Sequence, residues 1–456
     1  MLWDYLKNKM LKFPAKRLCE DKASLTYEET VIFAEKFAEK LESPYYVIFC
    51  HSEMAAALAI LSCFAAGVTA VPLSYRYGEA HYKKLFETIK PERVISDIGG
   101  ELQIINISSQ GSFLKLNNSS DRPALVMFTS GTTGKPKGVQ ISEENLLINL
   151  KDIKTYFKIN ENDKILIERP LYHCAVLTGE FLISLICGLD IVFFSDKFDP
   201  NAILRLIGAH KITVMGGTPT LYHILSIFMK NRCHPEPCHS ERSEGSSLRK
   251  IMLSGEVLNK NCALKIREAF PNTQIYHVYG LTEASPRVAY LPPEYFDEYA
   301  EYVGIPLPSV TVKIIDDKGS DVPNGTDGEL CIKGGNVTVS GWLHTGDIAS
   351  IDSTGFIKIK CRKDDMIIRA GMNIYPQEIE STLKTDDRVT EALAYGIPDE
   401  MCGQKIGLKV KGKFESTNEV VKLCHEMLPA YSQPSRVELT DEFEKNGSGK
   451  LCRKHI

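Results

Sequence analysis

The residues best suited to chemistry lie in one glycine-rich stretch, residues 129–138, with the sequence Thr-Ser-Gly-Thr-Thr-Gly-Lys-Pro-Lys-Gly. Glycines let a backbone turn tightly and bring N–H groups toward an anion, while hydroxyls and lysines add donors and positive charge. The stretch follows an apolar strand pattern at residues 124–128 and predicts a polyphosphate-binding loop. It is not a Walker loop, because Pro136 follows Lys135. The alternative is a flexible surface turn, which does not need so many hydroxyls and lysines. The predicted ligands are Thr129, Ser130, Gly131, Thr132, Thr133, Gly134, Lys135 and Lys137.

Three further motifs carry groups that suit a nucleotide. In residues 279–283, the ring of Tyr279 could stack on adenine, Thr282 could reach a phosphate and Glu283 could hold Mg²⁺. The Ser-Gly-Glu sequence at 254–256 follows another apolar strand pattern, and residues 341–347 end in Thr-Gly-Asp. Taken alone, each motif is typical of an ordinary strand end or surface turn.

Two charged segments near the C-terminus and one aromatic segment are also candidates. Residues 362–371 run Arg-Lys-Asp-Asp-Met-Ile-Ile-Arg-Ala-Gly, and residues 447–453 run Gly-Ser-Gly-Lys-Leu-Cys-Arg. By themselves they would be a solvated linker and a solvated tail. Residues 170–173, Pro-Leu-Tyr-His, end in a histidine that could equally lie at a helix start or in the core.

Together these motifs, in this order along nearly the whole chain, resemble the adenylate-forming superfamily of acyl-CoA synthetases, nonribosomal peptide adenylation domains and beetle luciferases. Besides the loop, the resemblance implies ATP or AMP contacts at Gly255, Glu256, Tyr279, Gly280, Thr282, Asp347 and Arg362. It also implies Mg²⁺ at Glu283, an acyl pocket or gate at His173, Gly217 and Arg287, a hinge at Asp364, a thiol tunnel at Gly371 and a catalytic lysine at Lys450.

The resemblance further implies a reaction in two steps. A carboxylic acid is first activated with ATP and Mg²⁺ as an acyl-adenylate, and the acyl group then passes to the thiol of CoA or of a carrier-protein phosphopantetheine. Lys450 serves the first step. For the second, the C-terminal domain rotates about Asp364 and withdraws that lysine.

This chain departs from the family pattern at several positions. Glu143 follows Ser142 where histidine is usual, and about a dozen residues common in relatives are missing between Gly335 and Gly341. Residues Cys361 and Ala370 stand where glycine is usual, and no proline precedes the last motif. The short segment weakens the prediction of a closed acyl pocket, but all the ATP residues are present.

Composition indicates a soluble cytoplasmic protein. Among 456 residues, 43% are hydrophobic and 25% charged, and the formal net charge of −4 points to neither a nucleic acid nor an anionic membrane as partner. The 13 scattered cysteines favour a reduced compartment, and the N-terminus lacks an apolar signal region. Residues 55–73 are almost uncharged but contain Gly67 and Pro72, so we expect a helix and a strand there, not a membrane span.

The elements that position these motifs alternate between strands and helices. A capping box at Thr26–Glu29 opens a helix, and the pattern from residue 45 to 96 predicts a sheet covered by helices. We expect an α/β core over residues 1–361, whose part from about residue 304 is β-rich, and a compact α+β C-terminal domain over 362–456. The polar segment 232–247 is predicted to be a loop insertion, since its two Cys-His pairs lack the usual zinc spacing.

Three functions remain open at this stage. The first is an acyl-CoA ligase, the second a stand-alone adenylation enzyme serving a carrier protein in trans, and the third a non-enzymatic AMP-binding protein. A homodimer is possible for each. The predicted pocket carries no clear partner for a substrate amine, although Glu180 and Glu256 are uncertain exceptions, and this favours an aliphatic or aryl acid. Arg287 could pair with a second carboxylate, as in a succinylbenzoate-type substrate.

Overall fold

The computed structural model describes residues 2–73, 79–107, 122–129, 137–194, 198–232, 247–370 and 372–443. The chain forms two compact units. The first unit comprises residues 1–256, 262–311 and 332–343, and the second comprises 257–261, 312–331 and 344–456. The predicted mixed α/β class is confirmed. The predicted boundary at residue 362 stays a prediction, and the second unit also takes in 312–331 and 344–361.

Helices cover the sheets of the first unit and one face of the C-terminal sheet. The α-helices are α1 (Leu2–Met10), α2 (Tyr27–Ala38), α3 (Glu53–Ala66), α4 (Glu79–Ile89), α5 (Glu143–Tyr156), α6 (Cys174–Val176), α7 (Ile183–Cys187), α8 (Pro200–His210), α9 (Pro219–Arg232), α10 (Lys260–Ala269), α11 (Phe296–Tyr299), α12 (Pro376–Leu383) and α13 (Thr417–Met427). Single 3₁₀ turns lie at Ile98–Gly100, Thr282–Ala284, Pro293–Tyr295, Lys363–Asp365 and Ala430–Ser432, and Leu177–Leu182 is a π-helix.

Among the described residues the strands form four sheets. The sheet that holds most of the motifs contains β1 (Arg17–Glu20), β2 (Ala23–Thr26), β9 (Lys164–Ile167), β10 (Asp190–Phe193), β11 (Val214–Gly217), β12 (Lys250–Leu253), β13 (Gln274–Gly280), β14 (Arg287–Leu291) and β15 (Ile305–Pro306). The second sheet contains β3 (Tyr45–Ile48), β4 (Thr69–Pro72), β5 (Arg93–Ser96), β6 (Gln103–Asn106), β7 (Leu125–Thr129) and β8 (Lys137–Ile141).

The remaining two sheets come later in the chain. The β-rich sheet contains β16 (Val310–Ile315), β17 (Gly328–Gly334), β18 (Leu343–Ile351) and β19 (Ile357–Arg362). The C-terminal sheet contains β20 (Ile367–Arg369), β21 (Met372–Ile374), β22 (Val389–Asp399), β23 (Gly403–Gly412) and β24 (Arg436–Leu439). Its apolar face packs on α12 and α13 around a core that includes Ile379, Leu408 and Leu423.

Local chemistry fixes several of these elements where the sequence predicts them. Thr26 and Glu29 form the predicted capping box of α2. Ser52 caps α3, and Gly67 ends it with a left-handed φ of 67° that a residue with a Cβ adopts at a cost. The expected helix and strand in residues 55–73 are therefore confirmed. In the described part of the chain no helix is long and apolar enough to cross a membrane.

The strand order of the largest sheet determines where a ligand can bind. Strands β13, β12, β11, β9 and β10 are parallel neighbours in that order. The chain therefore goes from β9 to β10 on one side and returns to β11 on the other. Ligands of open parallel sheets bind outside the carboxyl ends of the strands at such a reversal. The predicted motifs at residues 170–173, 217 and 254–256 all follow carboxyl ends at or beside it.

Candidate active site

The phosphate-loop candidate is held between two paired strands. Strands β7 and β8 are antiparallel, and Thr129 faces Lys137 at the last register position. The Thr129 hydroxyl donates to the Lys137 carbonyl at 3.5 Å, and the Lys137 side chain is exposed. The two residues that flank the seven-residue segment 130–136 are therefore held side by side. Those seven residues lie outside the described part of the chain.

The motif at 279–283 turns sharply back at the end of β13 and lies against that hairpin. Strand β8 contacts the 3₁₀ turn Thr282–Ala284. The Leu281 N–H donates to the Pro286 carbonyl at 2.9 Å, and a Cβ added at Gly280 would lie 1.9 Å from the same oxygen. Glycine is required here because a Cβ would clash with that oxygen, and not because the backbone has a positive φ. The half-buried Glu283 therefore lies in a turn that contacts β8, the strand that follows the phosphate-loop candidate.

Two asparagine side chains hold the turn from inside. Asn149, on α5, donates to the carbonyl oxygens of Arg287 at 3.0 Å and Ala284 at 3.4 Å. Asn336, which is fully buried, donates to the same two oxygens at 2.8 Å each. The Thr338 N–H adds a bond of 2.9 Å to the Glu283 carbonyl. Residues of the short segment 335–341 therefore support the turn that presents Glu283.

Helix α5 links the β7–β8 hairpin to the asparagine side chains that hold the turn. It starts directly after β8, where the hydroxyl of Ser142 accepts from the Asn145 N–H at 3.1 Å as the helix cap. The Asn145 side chain in turn donates to the carbonyl of Gly335 at 2.8 Å. The replacement of the family histidine by Glu143 leaves the helix start intact, since the cap comes from Ser142 and Asn145.

The adenine candidates follow adjacent strand ends. Gly255 has a φ of 89°, a conformation that favours glycine. Glu256 accepts from the Thr220 hydroxyl at 2.7 Å and from its N–H at 3.1 Å, so that its carboxylate already has protein donors. Tyr279 is half-buried at the end of β13. The three residues lie at the carboxyl ends of neighbouring parallel strands.

The acyl-pocket candidates His173 and Arg287 lie on two different elements, at the start of α6 and on β14. His173 is half-buried, and its ring centroid is 4.1 Å from that of Tyr172. Arg287 is only 1% exposed, and its Nη2 is 3.4 Å from the carbonyl oxygen of Ala175. No carboxylate among the described residues pairs with it. Burial raises the pKa of the neighbouring Tyr156 to about 12, although the Arg287 charge opposes that rise.

The second unit holds its own charged candidates. Asp347 and Arg362 form an ion pair at 3.0 Å, and the Arg362 guanidinium also donates to the Thr345 carbonyl at 3.1 Å. Asp364 lies in the 3₁₀ turn Lys363–Asp365, directly after β19. The predictions for Gly371 and Lys450, and the Cys-His pairs of the insertion at 233–246, lie outside the described residues.

Comparison with known proteins assigns the family. Residues 6–340 match the model of the AMP-binding enzyme family, and residues 378–450 match the model of its C-terminal domain. The chain is an AMP-binding enzyme. The predicted membership of the adenylate-forming superfamily is thereby confirmed.

Several members of the family are similar to this chain. A long-chain-fatty-acid–CoA ligase of Salmonella typhimurium is 31% identical over 73% of this chain, and the match spans 61% of that ligase's own length. A 2-succinylbenzoate–CoA ligase of Bacillus subtilis is 29% identical over 96% of each chain. The structure of the Bacillus subtilis o-succinylbenzoate CoA synthetase with its acyl-adenylate intermediate superposes with a TM-score of 0.83 at 27% identity, over 99% of this chain and 97% of that one.

Sequence reasoning missed the supporting residues of this AMP-binding enzyme. Asn149 and Asn336 were not predicted, and neither was Arg169, which lies at the carboxyl end of β9. One signal was available: Asn145 and Asn149 repeat at helical spacing on a helix whose other buried residues, apart from Asp152, are apolar or aromatic. The partners of Asn336 come from residues about 50 positions away, which no local pattern reveals.

Proposed function

We propose that this AMP-binding enzyme is an AMP-forming acid–thiol ligase that joins a carboxylic acid to CoA. The observation that carries the proposal is the contact of the Thr129–Lys137 hairpin with the turn bearing Thr282 and Glu283, at the carboxyl ends of the parallel strands. This arrangement brings the strand that follows the phosphate-loop candidate against the turn with the acidic residue, which supports binding of MgATP there. The CoA ligases among its relatives support the same activity.

The first step overcomes the poor leaving group of a carboxylate. A carboxylate oxygen attacks the α-phosphorus of ATP, and the bond from that phosphorus to pyrophosphate breaks. Negative charge accumulates on the phosphorus oxygens, so catalysis consists mainly of positioning and charge stabilisation. Loop hydroxyls, loop lysines and Lys450 would supply those donors. In this chain, strands β7 and β8 and the hydrogen bonds that Asn149 and Asn336 donate to the turn after Glu283 support a preorganised site.

The residues present fit a magnesium ion held together with ATP. Mg²⁺ is usually bound by one or two carboxylates plus substrate phosphates, and Glu283 provides one half-exposed carboxylate beside the hairpin. When bound, the ion would neutralise phosphate charge. The described residues contain no cluster of three acidic, histidine or cysteine ligands, so a cage made only of protein groups is not proposed there.

The second step needs a thiol next to the adenylate carbonyl. The thiolate sulfur attacks that carbonyl carbon, and AMP leaves with the bonding electrons. We propose that residues 362–456 act as the mobile domain, that they pivot at Asp364 and that Gly371 lines the thiol path. Asp364 fits a pivot because it lies in a single 3₁₀ turn between two strands.

The pocket residues argue against an amino acid as the acid substrate, and so against an aminoacyl group loaded onto a carrier. The two carboxylates that could have bound a substrate amine have protein partners, since Glu180 bonds Arg169 and Glu256 bonds Thr220. A cytoplasmic location is supported by the ten cysteines of the described residues, all of which are free thiols. A homodimer stays a prediction.

The test is acid-dependent exchange of radiolabelled pyrophosphate into ATP, followed by AMP release with CoA or with a holo-carrier protein. We expect exchange that requires both an acid and Mg²⁺, and AMP release that CoA stimulates more than the carrier does. Nucleotide binding without any exchange would instead indicate an AMP-binding protein with no ligase activity.

A further inference from the structure

Three glycines in or beside the predicted acyl pocket are packed against this protein's own side chains. Gly216 and Gly217 end strand β11 beside the predicted acyl pocket. A Cβ added at Gly216 would lie 2.4 Å from the carboxyl group of Glu180, and one at Gly217 would lie 2.7 Å from Leu221. A Cβ added at Gly179 would lie 2.5 Å from the guanidinium of Arg287. Side chains of Glu180, Leu221 and Arg287 therefore lie directly against these three glycines.

A buried ion pair occupies this position. The Nη2 atom of Arg169 is 2.5 Å from Oε1 of Glu180, and their side chains are 15% and 0% exposed. Glu168 adds a second carboxylate 3.4 Å from the Arg169 Nε. Burial favours the neutral form of Arg169, but the two carboxylates outweigh it and raise the pKa of the guanidinium. Arg169 therefore keeps its positive charge at this position.

The pair adjoins the nucleotide residues. Arg169 follows the carboxyl end of β9, at the reversal of strand order, and its guanidinium is 3.4 Å from the Ser254 hydroxyl. Ser254 directly precedes Gly255 and Glu256, the adenine candidates. Arg169 and Glu180 therefore lie at the same edge of the sheet as the adenine candidates.

We infer that the Arg169–Glu180 ion pair closes the far end of the acyl cleft, so that this enzyme activates short acids and excludes long-chain ones. The inference rests on the proposed ligase activity. An alkyl chain could pass only by displacing the pair, and separating a buried ion pair is strongly unfavourable because each charge loses its partner. Glu180 Oε2 and Arg287 Nε are also buried without a hydrogen-bond partner among the described residues, which makes this wall polar.

The experiment measures pyrophosphate exchange with propionate, butyrate, octanoate and palmitate. We expect kcat/KM for butyrate to exceed that for palmitate by about 100-fold or more, a ratio in the range that pocket size alone provides. Palmitate as the best substrate would overturn the inference and leave the ligase activity intact. No exchange with any acid would contradict the proposed activity and the inference together.

Two double variants separate pocket volume from charge. Arg169→Ala with Glu180→Ala removes both charges and opens the space, and we expect the butyrate-to-palmitate ratio to fall below about 10-fold. Arg169→Met with Glu180→Leu removes the charges but refills the space, and we expect palmitate to remain excluded. Acceptance of palmitate by the refilled variant, or its continued exclusion by the opened one, would refute closure by this pair.

A matched control lies at the other end of the same strands. Asp163 and Lys250 form a buried pair at 3.0 Å beside the amino ends of β9 and β12. Replacing both by alanine removes a comparable pair from the same sheet, and we expect the acid preference to stay unchanged even if thermal stability falls. An unaltered KM for ATP in all the folded variants will show that the ATP-binding residues are undisturbed. A shift of acid preference in the control would mean that the preference reports general damage to the sheet.

Discussion

The side-chain amides of Asn149 and Asn336 donate to the same two carbonyl oxygens, those of Ala284 and Arg287. The Asn149 amide comes from helix α5, which starts directly after β8. The Asn336 amide comes from the short segment before Gly341. Together they fix the chain immediately after Glu283. The position of that carboxylate relative to the hairpin therefore depends on two residues that need not touch a nucleotide.

The Asn336→Ala variant should weaken the use of MgATP. Losing this amide removes two hydrogen bonds to buried carbonyl oxygens, each of which contributes about 0.5–1.5 kcal/mol. We expect KM for MgATP to rise by about tenfold or more, with a smaller effect on KM for the acid, because the turn carries Glu283. Steady-state kinetics at varied Mg²⁺ will measure this.

A control for Asn336 is Asn324→Ala, because Asn324 donates one exposed bond to the Asp352 carbonyl at 3.3 Å. We expect its kinetics to match those of the wild type. Equal changes of both KM values in Asn336→Ala would show that the residue supports folding and not the turn.

Replacement of Lys450 by alanine should separate the two half-reactions. Removing a preorganised donor from the adenylation transition state commonly costs about 3–4 kcal/mol, so pyrophosphate exchange should fall by about 10²–10³-fold. Thioester formation from synthetic acyl-adenylate and CoA should be largely preserved. Lys422→Ala, on the exposed side of α13, is the control and should leave both steps intact. A loss of similar size in both half-reactions would contradict the assignment.

Elements fixed by neighbouring residues were predictable from the sequence. The capping box at Thr26 and the left-handed stop at Gly67 each involve residues within a few positions, and both are confirmed. Short-range patterns determine such elements because their hydrogen bonds close within one turn or one strand.

Features that depend on distant partners were not predictable. The Arg169–Glu180 pair requires the π-helix Leu177–Leu182 to place Glu180 against Gly216, and nothing in that segment's composition distinguishes it from an α-helix. Arg287 was proposed as a carboxylate receptor, but the sequence could not show that the residue is almost completely buried. In both cases the outcome depends on packing between strands that are far apart in the chain.

Gly280→Ala should be far more damaging than Gly208→Ala. An added Cβ at Gly280 would lie 1.9 Å from the Pro286 carbonyl oxygen, and so the turn carrying Thr282 and Glu283 would have to shift. We expect pyrophosphate exchange to fall by about 10²-fold, the effect typical of a misplaced site.

The control is Gly208, which lies inside α8 with no atom within 4 Å of an added Cβ. There the substitution should stabilise the fold by about 1 kcal/mol without changing activity. Thermal unfolding and exchange assays on both variants decide the comparison, and normal activity in Gly280→Ala would refute the role of the close contact.

His277 should make the stability of the first unit decrease in acid. Its ring is buried, and Nδ1 lies 3.0 Å from the Ala300 carbonyl and 2.9 Å from the Tyr302 carbonyl, so this nitrogen carries the hydrogen of a neutral ring. Burial lowers the pKa of His277 below its ordinary value of 6.5, although the carbonyl contacts oppose that shift. The unfolded chain then binds a proton near pH 6.5 that the folded chain does not. The free energy of unfolding is therefore fully retained above that pH and falls below it, by at most about 1.4 kcal/mol per pH unit for this group.

The variant that tests this is His277→Asn, because the Asn amide nitrogen can replace Nδ1 as a donor and does not titrate. We expect the free energies of unfolding of the two proteins to differ by a constant amount above pH 7. Below pH 6.5 the difference should shift in favour of the variant. A constant difference down to pH 5, measured by urea unfolding, would mean that His277 titrates alike in the folded and unfolded chains, and the burial argument for this residue would fail.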